Sequence, residues 1–214
     1  MYLPAHFEES RVEVLHQLIR DYGLGTLVTL SAGGLEANHI PFEIDPEPAP
    51  YGTLRAHVAR NNPVWREFSK DVDALAVFQG AQAYISPNWY QTKQDNGQVV
   101  PTYNYMVVHA SGAMTIIEDP AWLRALVGRL TDRYEASQAA PWKLSDAPDD
   151  YIEKMLSAIV GIEMPIKKLV GKWKVSQNRP TVDRAGVVTG LQKQGGENAS
   201  AMAIAVQALQ SPKA

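Results

Sequence analysis

Residues 25–44 read GTLVTLSAGGLEANHIPFEI, two runs in which apolar and polar residues alternate, joined by Ala32, Gly33 and Gly34. Alternation with a period of two is the mark of strands with one face in a core. The glycines supply the positive φ that a tight hairpin turn needs. The chain is therefore expected to be built on antiparallel sheet. Upstream, Leu15, Leu18, Ile19 and Tyr22 recur at helical spacing, and Gly23 follows as a C-terminal stop. An amphipathic helix is predicted over residues 10–22.

Downstream, DPEPAP (45–50) reads as a polar turn and YGTLRAHVA (51–59) as a strand, followed by a short helix over about 63–68. VDALAVFQG (72–80) and AQAYISP (81–87) are expected to be two strands in hairpin relation, and QTKQDNGQVV (91–100) a loop. A long strand is predicted over 100–118. Asp119-Pro120 then opens a helix whose apolar face carries Trp122, Leu123, Leu126, Val127, Leu130 and Tyr134. Ser145 or Asp146 is expected to cap a second helix through Ile152, Met155, Leu156 and Ile159, and a strand should run from Gly161 to about Ser176. Helices are predicted after Pro180 and over 200–209. Six or seven strands with helices inserted late define an α+β, mainly β design, a barrel or twisted sheet with flanking helices. With neither repeat nor linker, the expectation is one domain over 1–214.

Composition narrows the chemistry. With 214 residues, 45% of them hydrophobic and 20% charged, the chain suits a globular protein with its own core. Having no cysteine, it lacks disulfides, thiolate nucleophiles and cysteine-held metals. The N-terminus MYLPAHFEES lacks the basic and apolar regions of a leader, and no run approaches the roughly 18 apolar residues of a membrane span. A cytoplasmic location and no membrane partner are expected. The net charge of −3 gives no general attraction to DNA. Phosphate-loop, dinucleotide and serine-elbow motifs are absent, and the five histidines show no metal-ligand spacing.

Three polar and aromatic segments stand out: AHVARNNPVW from Ala56, VPTYNYMVVHASG from Val100 and GKWKVSQNRP from Gly171. In the first, Arg60 and Asn61 precede a helix that Pro63 can open, and His57 lies on the polar face of the preceding strand. In the third, Gln177, Asn178 and Arg179 precede Pro180 in the same way. A helix N-terminus offers unpaired N–H groups, and a guanidinium beside it adds a donor fork suited to phosphate. The plainer alternative is an asparagine cap with a solvated arginine and a histidine in the barrel wall. Thr102 and Asn104 share one strand face, Tyr103 and Tyr105 the other. They suit either a planar ligand or a wide aromatic sheet face. Lys172 and Lys174 flank Trp173, which fits cation–π packing as well as ligand stacking.

Those segments, with MYLPAHFEES and YISPNWYQTK, resemble in order the PaiB-type family of FMN-binding negative transcriptional regulators over residues 1–191, leaving 192–214 outside as a helical extension. The resemblance implies an FMN-binding split β-barrel with flanking helices, a homodimer with FMN at the subunit interface, and DNA as a partner only through the regulator role. It implies a cofactor-binding set of His57, Arg60, Asn61, Thr102, Asn104, Trp173, Gln177 and Arg179, with no catalytic or metal-ligating residue assigned. The alternative within the same superfamily is a flavin-dependent oxidoreductase or a haem-binding or haem-degrading relative, with haem held by His57 or His109.

Overall fold

The computed structural model describes residues 1–209. Among them lie nine strands and seven helices. In chain order these are β1 (Glu8–Glu9), α1 (Val12–Asp21), β2 (Leu24–Ser31), β3 (Gly34–Asp45), β4 (Thr53–Ala59), α2 (Val64–Glu67), β5 (Ala74–Ile85), α3 (Lys93–Asn96), β6 (Thr102–Gly112), β7 (Thr115–Ile117), α4 (Pro120–Glu135), α5 (Asp149–Ser157), β8 (Ile159–Pro165), β9 (Lys168–Lys174), α6 (Thr181–Gln194) and α7 (Glu197–Ala208). Two compact units share the chain: residues 1–11, 79–108 and 170 onward form one, and residues 12–78 and 109–169 the other.

In the second unit the strand order is β5-β2-β3-β4-β8-β7. The opening hairpin forms as the alternation demands: β2 and β3 pair antiparallel from Leu24↔Pro41 to Ser31↔Gly34, and Gly34 takes φ +114° at the turn. Strands β4 and β8 pair so that Leu54 faces Met164, Ala56 faces Ile162 and Val58 faces Val160. All six of these side chains are buried. Phe42 and Phe78 meet edge to face at 5.3 Å. Gly25 makes that contact possible, because a Cβ there would fall 2.7 Å from the Phe78 ring and 2.9 Å from Phe42. Helix α1 buries Leu15, Leu18 and Ile19. On α4 and α5, Leu123, Ile152 and Leu156 form a smaller cluster.

In the first unit the order is β1-β9-β6-β5. Helices α6 and α7 bury Val187, Leu191, Met202 and Val206 in one core with Ala81, Ala83, Ile85 and Val175. Trp89 packs into α6 at Gly190, where a Cβ would lie 2.3 Å from the indole.

Several elements depart from the sequence reading. The segment 72–87 forms one twelve-residue strand, not a hairpin. Its burial alternates on either side of Gly80 and slips by one where Gly80 and Ala81 are both buried. The glycine thus marks a change of face and not a turn. The predicted strand over 100–118 is broken after Gly112, giving β6 and β7. The single strand expected over 161–176 is two, β8 and β9. Helix α5 starts at Asp149, with Pro148 as its cap, while Leu144–Asp146 makes a 3-10 turn. No helix among the described residues is long and apolar enough to cross a membrane.

Candidate functional site

Five of the eight sequence-derived site residues, Thr102, Asn104, Trp173, Gln177 and Arg179, lie in the first unit, on β6, β9 and the turn after β9. The Lys174 ammonium donates to the Thr102 hydroxyl. Asn104 is buried, and its Nδ2 donates to Ser176 Oγ at 2.9 Å. Ser176 is the one non-glycine among the described residues with positive φ, at +66°. Gln177 ties down the same turn: its Nε2 donates to the Trp173 carbonyl, and its Oε1 accepts from Val175 N at 2.8 Å. Arg179 N donates to Ser176 O at 3.0 Å. The chain therefore folds back on itself between Trp173 and Arg179.

Three cations gather around this turn. The Arg179 guanidinium lies 4.7 Å from the centroid of the Tyr90 ring. The Lys172 ammonium lies 5.4 Å from the Tyr105 centroid and 5.6 Å from that of Tyr2, and donates to Tyr2 O at 3.0 Å. Burial pushes the Lys174 pKa down, and the charges of Lys172 and Arg179 push the same way. Among the described residues none of the three forms an ion pair with a carboxylate. Asn104 Oδ1, also buried, has no hydrogen-bond partner among the described residues. The site thus holds uncompensated positive charge, a hydroxyl, and one unused acceptor beside aromatic rings.

Sequence reasoning left Lys172 and Lys174 out of the set. Their spacing of two around Trp173, at the end of an alternating run, was the available signal. Trp173 itself packs against the core cluster beneath α6 and α7. The expected phosphate cradle at the start of α6 differs too. Asp183 occupies that first turn, fully buried, and accepts from Thr92 N at 3.0 Å and Thr92 Oγ1 at 2.7 Å.

The other three residues lie in the second unit and meet different surroundings. Helix α2 has only four residues, and its start is held by Asn62, whose Oδ1 accepts from Val64 N at 3.0 Å. Asn61 is exposed. The Arg60 guanidinium turns to the end of α5 instead. It donates to Ser157 O at 2.8 Å, Ile159 O at 3.1 Å and the Glu118 carboxylate at 2.6 Å. A cation is favoured there because the last carbonyls of a helix carry its negative end. His57 lines a cavity of about 310 Å³ with Pro41, Leu130, Tyr134 and Trp142. Its Nδ1 is buried without a partner among the described residues, and burial lowers its pKa. His109 shifts the same way for the same reason.

An antiparallel sheet flanked by helices recurs in solved flavoproteins. The FAD and haem binding protein of Mycobacterium smegmatis superimposes with a TM-score of 0.57 at 16% identity, covering 78% of this chain and 73% of that one. The flavocytochrome Anf3 of Azotobacter vinelandii does so with 0.57 at 11%, over 78% and 69%. At such identities the likeness defines the fold, that of the split-barrel flavin-binding proteins.

Within that class the chain belongs to the family described as "Putative FMN-binding domain", whose model matches residues 1–168. The "Protease synthase and sporulation protein PAI 2" of Bacillus subtilis is 32% identical over 203 residues, 95% of each chain. An uncharacterized protein of Aspergillus fumigatus is 33% identical over 242 residues, 92% of this chain and 93% of its own. The PaiB-type resemblance and the FMN cofactor are thereby borne out. GKWKVSQNRP lies beyond the family model but within the span covered by the Bacillus relative.

Proposed function

We propose that the chain is an FMN-binding regulatory protein whose FMN is held at the Thr102–Arg179 site. The observation that carries this reading is the cluster of Lys172, Lys174 and Arg179 without a carboxylate partner among the described residues. A phosphate monoester is a dianion above its second pKa of about 6, and partly buried positive charge favours it. Lys174, Thr102 and Arg179 would hold the phosphate. Asn104 Oδ1 would accept an N–H of the flavin ring, with Trp173 and Gln177 fixing the turn that carries Arg179. FMN, when bound, supplies one- or two-electron transfer. Arg60, Asn61 and His57 stand outside this set, since the Arg60 donors already serve the end of α5.

A second copy of the chain is the proposed partner. Tyr84 and Tyr103 meet edge to face at 6.0 Å and stay 47% and 55% exposed, an aromatic surface of the kind subunit contacts use. The regulatory part follows the family and the sporulation wording in the name of the Bacillus relative. With a net charge of −3, direct DNA contact would need a local basic patch, so control acting without DNA contact is the favoured version.

Flavin fluorescence titration of the purified protein tests the site: saturable FMN binding, weakened in Lys174→Met and Arg179→Ala, is expected. Binding of FMN that ignores both substitutions overturns the assignment. A gel-shift series in rising salt tests the regulatory version. A steep salt dependence with tight DNA binding would replace indirect control by direct repression.

A further inference from the structure

A cavity of about 700 Å³ opens between the start of α4 and helix α5. Leu123 and Leu156, both buried, form its apolar floor, with Pro120 and Ala121 beside them. Its size lies within the roughly 300–1,000 Å³ of small-molecule sites. None of its lining residues belongs to the proposed FMN set. Four charged groups border it: Arg60, Glu118, Arg124 and Glu153.

Two of these charges are committed and two are not. Arg60 and Glu118 pair with each other at 2.6 Å. Among the described residues Arg124 pairs only with Asp149, at 3.7 Å, and that carboxylate is 88% exposed; an ion pair so long and so wet contributes little. Glu153 forms no ion pair among the described residues. An apolar floor is therefore flanked by one cation from α4 and one anion from α5, both available to a ligand.

We propose that this cavity is a second ligand site, for a small zwitterion with an apolar body, of the class of apolar amino acids and their dipeptides. The ligand carboxylate meets Arg124, its ammonium meets Glu153, and its side chains cover the exposed Pro120 and Ala121 above the buried Leu123 and Leu156. A purely anionic ligand would face Glu118 and Glu153, and a purely cationic one Arg60 and Arg124. An uncharged apolar ligand would strip water from Arg124 and Glu153 without replacing it, which is costly. Only a ligand carrying both signs matches the wall.

Isothermal titration of the full chain with leucyl-leucine, with and without saturating FMN, tests this. Saturable binding is expected. Ion pairs as exposed as these are worth up to about 1 kcal/mol, so Arg124→Gln and Glu153→Gln should each weaken binding about threefold to fivefold. N-acetyl-leucyl-leucine and leucyl-leucinamide, each lacking one charge, should bind correspondingly worse than leucyl-leucine. Glu153 is exposed and Arg124 half-exposed at the cavity rim, so folding should persist, as an unchanged melting temperature would verify, and FMN affinity should stay at its original value. Absence of saturable heat with leucyl-leucine overturns the proposal, as does an affinity that survives either substitution. Loss of FMN binding without loss of dipeptide binding in Arg179→Ala would separate the two sites.

Discussion

ARNNP at 59–63 and SQNRP at 176–180 are nearly the same sentence, an arginine and asparagine ahead of a proline, yet the two arginines have opposite fates. Arg60 meets two carbonyls near the end of α5 and the Glu118 carboxylate, so its guanidinium is consumed by the fold. Arg179 meets no carboxylate among the described residues and rests on the face of Tyr90. What separates them is the supply of acceptors from neighbouring elements, which arrive from nearly a hundred residues away in the case of Arg60. A guanidinium that finds helix-end carbonyls becomes a brace, and one left among other cations is free for a ligand.

This contrast can be broken in several ways. The largest effect is expected from Arg60→Ala, which takes the donor from two carbonyls and leaves the half-exposed Glu118 to solvent; it should cost about 3 kcal/mol of stability in urea unfolding. FMN affinity should stay within about twofold. A large loss of FMN affinity with stability intact would reverse the assigned roles. Arg179→Ala should do the opposite, lowering FMN affinity by about tenfold to a hundredfold, equivalent to about 1.5–3 kcal/mol, with little change in unfolding. Between the two stands Gly190→Ala, whose Cβ would overlap the Trp89 indole. Overpacking of this kind costs about 2 kcal/mol, and a melting curve reads it directly.

Smaller effects are expected from pH. The lowered pKa of Lys174 means that its charge, and with it the grip on phosphate, is complete below that value. A bound phosphate raises the pKa, so FMN affinity should decline as pH climbs through the bound-state value. Lys174→Met should lose that alkaline limb. For stability the histidines act at the other end of the scale. His57 and His109 have folded pKa values held below the ordinary value of about 6.5. Between the folded values and about 6.5 the unfolded chain binds more protons, so stability is full near neutrality and falls as pH drops through that window. His57→Asn should flatten the acid side of a melting temperature series, and an unchanged slope would remove His57 as a contributor.

The comparison also explains what could be read beforehand. Helix α1, the β2–β3 hairpin, β4 and α4 follow from local periodicity and caps, because each is decided by residues close in sequence. Thr102, Asn104, Gln177 and Arg179 were legible as polar residues where an ordinary core strand or turn would not carry them. Their grouping rests on pairs 72 residues apart, such as Asn104 with Ser176, which no local pattern encodes. Lys174 was visible as one of two cations around Trp173, but its desolvation is a property of the assembled site. The fate of Arg60 was hidden for the same reason, since Ser157 and Ile159 act through backbone carbonyls that every residue possesses. Gly80 misled because a lone glycine between two apolar runs reads as a turn, and only burial on both sides reveals an unbroken strand.

That glycine has a consequence for what the gene can tolerate. Because the apolar face of β5 changes at Gly80 and Ala81, Ala74, Ala76 and Phe78 serve the interior on one parity while Ala81, Ala83 and Ile85 serve theirs on the other. Removal of a single codon at that point would restore perfect alternation and, in doing so, turn one half of the strand inside out. A deletion that most surface loops would absorb unnoticed should here be as damaging as the loss of a core phenylalanine.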